Sequence, residues 1–193
     1  SQAQGNAPKE GKEYLVLGKP APTDAPKGQV EVVEFFWYSC PHCNAFEPRL
    51  EAWVKQLPKD VSFRRAPVSF RADFEPQQRL YFVLEALNLV DTLHAKVFYA
   101  IHVERKNLTT KDAIATWIAT QGVEKAKFLE TYDSFSVASK ARRASQLQDA
   151  YEVAGVPSIG VGGRFYTDGQ QAGSMERVLQ TTDFLVAELR KGR

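Results

Sequence analysis

The chain has 193 residues, enough for one well-buried core or for one domain that carries a sizeable insertion. Its 44% hydrophobic and 25% charged residues are the proportions of an ordinary globular protein, so a low-complexity or fibrous chain is excluded. A formal net charge of +2 is too small to mark nucleic acid or an anionic membrane as partner, and no apolar stretch is long enough to cross a bilayer.

The chain opens on Ser1-Gln2-Ala3 rather than on Met, which suggests a processed or truncated form and leaves room for a removed targeting segment. Residues 1–12 and 18–29 are rich in Gly, Pro, Lys and Gln and read as a tail and a loop, with Tyr14 to Leu17 between them as a short edge strand. Gln29 to Trp37 is nearly continuous in β-branched and aromatic residues. That pattern predicts a central strand buried on both faces of a parallel or mixed sheet. A helix should start at Pro41, because proline costs nothing at a first helical position whose N–H has no partner anyway. Phe46, Leu50, Trp53, Val54 and Leu57 give it an apolar stripe, Pro48 should kink it and Pro58 should close it. Val61 to Val68 reads as a second long strand.

From residue 71 to 154 the strand signal disappears. Gln77–Leu87 and Leu93–Val103 have helical apolar spacing, and Thr109-Thr110-Lys111-Asp112 looks like a capping box opening a helix that runs to Gly122. Val123–Tyr132 predicts a short helix and Phe135–Ala154 a long one ended by Gly155. Val156 to Val161, the dipeptide Gly162-Gly163 and Arg164 to Tyr166 then read as a hairpin with a two-glycine turn, and Ser174–Leu189 as a closing amphipathic helix. The predicted class is α/β: a mixed central sheet flanked by helices, built from residues 1–70 and 155–193 and interrupted by an all-helical insertion over 71–154.

The only two cysteines stand in Cys40-Pro41-His42-Cys43, at the junction of the central strand with the helix. Two cysteines cannot make the disulfide framework of a small secreted scaffold; two residues between them is the spacing of a reversible disulfide. Cys40 precedes the first turn of a helix whose N–H groups have no intrahelical partner, and those donors and the helix dipole favour a thiolate. His42 adds a donor at the same end. The pair is thus predicted to be asymmetric, with Cys40 exposed and reactive and Cys43 sheltered beneath. The competing readings are a pair of buried structural cysteines and half a zinc site. Zinc would want four ligands, and beyond His42 only His94 and His102 remain, on distant helical segments.

These features carry a family resemblance. Glu34-Phe35-Phe36, Cys40-Pro41-His42-Cys43 with Phe46-Glu47 beyond it, the helical insertion and Gly155-Val156-Pro157 resemble the thioredoxin fold and, within it, the bacterial DsbA thiol oxidases. Pro-His between the cysteines is the DsbA choice, whereas reducing thioredoxins usually carry Gly-Pro. Pro48, five residues past Cys43, matches the kink proline of thioredoxins and so supports the superfamily more than the subfamily.

The resemblance implies a thiol:disulfide oxidase acting on unfolded or reduced exported proteins, periplasmic after signal-peptide removal, monomeric and without bound cofactor or metal. It also implies reoxidation by a DsbB-like, quinone-linked membrane oxidase. A disulfide isomerase or reductase on the same fold is the alternative. Such isomerases usually carry an N-terminal dimerisation module, for which the residues before the central strand leave no room. A binding or chaperone-like module with incidental cysteines is a further one. The resemblance further implies that the Val156-Pro157 bond is cis and that Val156 offers its main-chain groups to an extended substrate; a trans proline that merely starts a strand is the competing reading.

Glu34 alternates with Val32 and Phe36 in a strand expected to be buried, a costly place for a carboxylate without a partner. Its strand leads straight into the cysteine motif, so it is a candidate to accept or relay the proton of Cys43; a structural ion pair is the competing reading. Arg65 is the candidate counter-charge, at a position where the family leads one to expect Lys, and Arg64 should face the other way. Glu47, one helical turn past Cys43, tunes the same site or is a solvated charge. Trp37, Tyr38, Phe70 and Phe74 form either an apolar rim for unfolded chains or ordinary core.

Overall fold

A computed structural model describes residues 6–192, so the first five residues of the expected tail lie outside the described residues. The chain runs β1 (Leu15–Val16), β2 (Val30–Phe36), α1 (Pro41–Lys55), β3 (Val61–Pro67), a 3-10 turn (Ala72–Phe74), α2 (Glu75–Ala86), α3 (Val90–His102), α4 (Lys111–Ala119), α5 (Lys125–Tyr132), α6 (Phe135–Ala150), β4 (Ser158–Val161), β5 (Phe165–Asp168), α7 (Gly169–Ala172) and α8 (Met175–Arg190). Two compact units result. One holds the described residues up to Phe36, then Phe46–Ala66 and the chain from Leu147 on; the other holds Trp37–Ala45 and Pro67–Gln146.

The first unit is built on a five-stranded sheet of order β1-β5-β4-β2-β3. The β1–β5, β5–β4 and β4–β2 pairs are antiparallel, with Val32 opposite Val161 and Glu34 opposite Ile159. The β2–β3 connection passes through α1, the crossover that parallel neighbours use, and the sheet is mixed as expected. Every residue of β2 from Glu31 to Phe36 is buried, which explains its lack of strict alternation. On one face Val32, Ile159, Val161 and Phe165 pack against Val178, Leu185 and Val186 of α8. Removing such side chains from water stabilises a core by roughly 1.5–3 kcal/mol each. Phe46 and Leu50 of α1 meet Leu179 of α8.

The hairpin differs from expectation in one detail. Val161 is opposite Phe165, so the connection is three residues long, not two. Gly162 and Gly163 both have positive φ (61° and 70°), a conformation that side chains resist, and Arg164 N–H closes the turn on the Val161 carbonyl at 3.0 Å.

The second unit is helical. Leu80, Leu84, Leu93, Ile114, Ile118 and Phe128 are fully buried among α2 to α5. The long helix predicted to end at Gly155 stops a turn earlier, at Ala150. Glu152 takes a left-handed φ of 52°, Val153 N–H reaches back to Gln148 O (3.1 Å) and Glu152 N–H to Asp149 O (3.0 Å). That is a Schellman cap with glutamate where glycine is usual, a stop signal that composition does not show. The capping box is corrected too: Thr110, not Thr109, is the N-cap and accepts from Ala113 N–H at 3.1 Å. The one-residue shift leaves alanine at the third helical position, so no side chain returns the bond.

Candidate active site

Cys40 stands at the N-cap of α1. Its carbonyl accepts the first helical bond, from Asn44 N–H at 3.0 Å, and its sulfur accepts the N–H of Cys43 at 3.1 Å. A serine or aspartate oxygen caps a helix in the same way. Pro41 fills the first helical position as predicted, and His42, exposed, the second. Neither cysteine is in a disulfide, so the structure holds the reduced pair.

The Cys43 thiol, hydrogen-bonded to the Cys40 sulfur, lowers the Cys40 thiol from its ordinary 9.0 to about 7. Burial works against this shift, and the backbone N–H groups of Cys43 and His42 reinforce it. The contribution of His42 therefore comes through its main chain. About half of Cys40 is thiolate at pH 7, where an ordinary cysteine is ionised to a few per cent. One expectation is corrected. Cys40 is not an exposed thiol: it is 6% exposed and Cys43 wholly buried, and Tyr38 in the turn before them is buried as well.

The sheet unit gathers the charged residues that the sequence singled out. Glu34, 1% exposed, lies 3.6 Å through Oε1 from Arg65 Nε, and the Arg65 Nη2 donates to Glu47 Oε2 at 2.9 Å. Glu51 is a third carboxylate at 3.5 Å from the same Nη2, and the guanidinium lies over the Phe63 ring. Glu51 follows Glu47 by one helical turn, a spacing that could have flagged it. Arg64 faces the other way as expected, toward Glu31 (3.3 Å) and Asp24 (3.2 Å). Glu31, 2% exposed, is a buried carboxylate that sequence reasoning passed over; it also accepts from Asp24 N–H at 2.9 Å.

Val156-Pro157 is cis and leads directly into β4. Tyr166 braces the segment before it. Its hydroxyl donates to Asp168 Oδ2 at 2.6 Å and accepts from Ala154 N–H at 3.2 Å. Among the described residues no cluster of His, Cys, Asp and Glu is arranged to hold a metal. Of the expected aromatic rim, Tyr38 and Phe74 are buried, Trp37 stacks on Phe74 with centroids 4.1 Å apart, and Phe70 is 41% exposed.

Residues 31–180 match the family described as DSBA-like thioredoxin domain. The thiol:disulfide interchange protein DsbA of Bordetella parapertussis is 45% identical over 192 residues, covering 99% of this chain and 88% of the relative. That of Burkholderia cepacia is 42% identical over 189 residues, with 98% and 89% covered. Among solved structures, Pseudomonas aeruginosa DsbA superposes with a TM-score of 0.89 at 41% identity over 94% of each chain. The oxidoreductase DsbA of Xylella fastidiosa gives 0.89 at 30%, covering 96% of this chain and all of that one.

Proposed function

The chain belongs to the DSBA-like thioredoxin-domain family and is a thiol:disulfide oxidoreductase, and from that premise we propose how its residues divide the work of oxidising other proteins. A substrate thiolate attacks Cys40 Sγ of the Cys40–Cys43 disulfide. The sulfur–sulfur bond breaks, Cys43 leaves with the electron pair and takes up a proton, and a mixed disulfide joins substrate to Cys40. The substrate's second thiolate then attacks its own sulfur in that bond and expels Cys40 as thiolate. Two electrons have passed to the enzyme and one disulfide to the substrate. The single observation that carries the oxidising direction is the N-cap bond from Cys43 N–H to the Cys40 sulfur. It stabilises the leaving thiolate and with it the reduced enzyme.

Around this core, Glu34 handles the proton of Cys43; its burial in the strand that runs into the motif supports the role. Arg65 balances its charge and is shared with Glu47, which tunes the same site. Val156 and Pro157 dock an extended substrate through main-chain groups, and residues 71–154 act as a helical insertion in a thioredoxin domain made of 1–70 and 155–193. Substrates are reduced exported proteins in the periplasm. A DsbB-like, quinone-linked membrane oxidase restores the disulfide, and the protein works as a monomer.

The test is the redox equilibrium with glutathione, measured for the protein and for Cys40→Ser. A strongly oxidising couple that disappears in the variant is the expected result. A couple as reducing as thioredoxin, or a pair that does not cycle, overturns the oxidase reading.

A further inference from the structure

The chain has three histidines; one lies between the cysteines, and the other two grip the residue two places before Cys40. His94, Phe98 and His102 recur every four residues along α3 and so form one stripe. Each takes a different part of Tyr38. His94 Nδ1 lies 2.7 Å from the Tyr38 hydroxyl, the Phe98 ring meets the Tyr38 ring edge-on at 5.1 Å, and His102 Nε2 donates to the Tyr38 carbonyl at 2.7 Å.

Tyr38 is the second residue of a tight turn, Trp37 to Cys40, closed by Cys40 N–H on the Trp37 carbonyl at 3.1 Å. The third residue is held as well. Gln77 Nε2 donates to Ser39 Oγ at 2.9 Å and to the Leu108 carbonyl at 2.8 Å, and Gln77 is 3% exposed. A phenylalanine at position 38 would fill the same space. The hydroxyl and carbonyl bonds are what packing does not require, and each buried polar group costs stability unless it is met. Together they over-determine where the turn ends, which is at the Cys40 Cα.

We infer that Tyr38, held end to end by His94 and His102, is a positioning residue for the redox pair: it keeps Cys40 Sγ within reach of the helix-start N–H groups and thereby sets the balance between reduced and oxidised enzyme. The bond at stake is 3.1 Å long, so a displacement of Cys40 that lengthens or bends it weakens the hold on the sulfur. The side chains of α2 and α3 thus act on the chemistry through Tyr38 and Ser39 of one turn, without themselves taking part in the reaction. The inference rests on the oxidase reading above, and the experiment separates the two.

Tyr38→Phe, His102→Ala and His102→Gln are compared with the unaltered chain in the glutathione equilibrium and in the pH titration of the Cys40 thiolate by its ultraviolet absorbance. Tyr38→Phe and His102→Ala should each make the couple at least threefold less oxidising and move the titration midpoint upward. His102→Gln should restore both readouts, since its amide can donate to the same carbonyl. His102 is half-buried at the end of α3, so its pair of variants decides the matter if Tyr38→Phe does not fold. Folded variants whose equilibrium and midpoint equal those of the unaltered chain, even if they melt earlier, overturn the inference. An unaltered chain with an ordinary thiol and no oxidising couple overturns the oxidase reading instead.

Discussion

Gly160 and the ring of Tyr151 meet so closely that only a residue without a side chain fits between them. A Cβ on residue 160 would stand 2.4 Å from Tyr151 Cε1 and 2.6 Å from Cζ. The ring cannot yield: it is 1% exposed, packs edge-on against Phe35 at 5.4 Å, and its hydroxyl accepts the Gly163 N–H at 2.8 Å. Gly160→Ala should therefore cost about 1–3 kcal/mol or more in urea unfolding, as overpacking does. Gly155→Ala, with open space around it, should stay within about 0.5 kcal/mol.

Removing the Arg65 guanidinium should be far more damaging than removing an exposed charge. Glu34 and Glu47 are buried carboxylates that share it, and breaking a buried pair from one side costs about 3–5 kcal/mol. Arg65→Met should lower unfolding stability by that order. Arg65→Lys should lower it less but still measurably, because one ammonium cannot reproduce the separate Nε and Nη2 contacts. Equal stability of Arg65→Met and the unaltered chain would show that the cluster contributes nothing net.

The lowered Cys40 thiol ties stability to pH in the reduced form alone. A thiol at about 7 in the folded chain, against its ordinary 9.0, releases its proton earlier in the native state. Its contribution is complete above the unfolded value and is lost as pH falls through about 7. The melting temperature of the reduced protein, taken relative to that of the oxidised protein, should accordingly rise from pH 6 to about pH 9. Cys40→Ser, which has no disulfide form, should lack the rise that the reduced protein shows over this range.

Tyr166→Phe should cost about 1–3 kcal/mol, since it leaves the buried Asp168 Oδ2 without its hydroxyl donor and removes the acceptor of the Ala154 N–H. Faster hydrogen exchange at the Ala154 amide, with the β4–β5 amides unchanged, would locate the loss before Val156-Pro157.

Much of this was legible in one dimension. The nearly continuous apolar run up to Trp37 read as a strand buried on both faces and Pro41 as a helix start, which put Cys40 at the cap of that helix. Glu34 in that run required a partner, and Arg65 was the cation that strand alternation put within reach. The order of elements and the Cys-Pro-His-Cys motif were then enough for fold and chemistry. What could not be read are contacts between residues far apart in the chain, which leave no local signature. Glu152 ends a helix in glycine's conformation because packing imposes it, and Glu31 lies buried because Arg64 and the Asp24 amide come to meet it. Cys40 is enclosed, not exposed, and Tyr38 in the turn before it is held by a helix more than fifty residues away. Sequence determined that one sulfur would be a thiolate at a helix start. Tertiary structure alone decided how firmly that start is held, since a hydrogen bond to His94 or His102 depends on where a distant helix comes to rest.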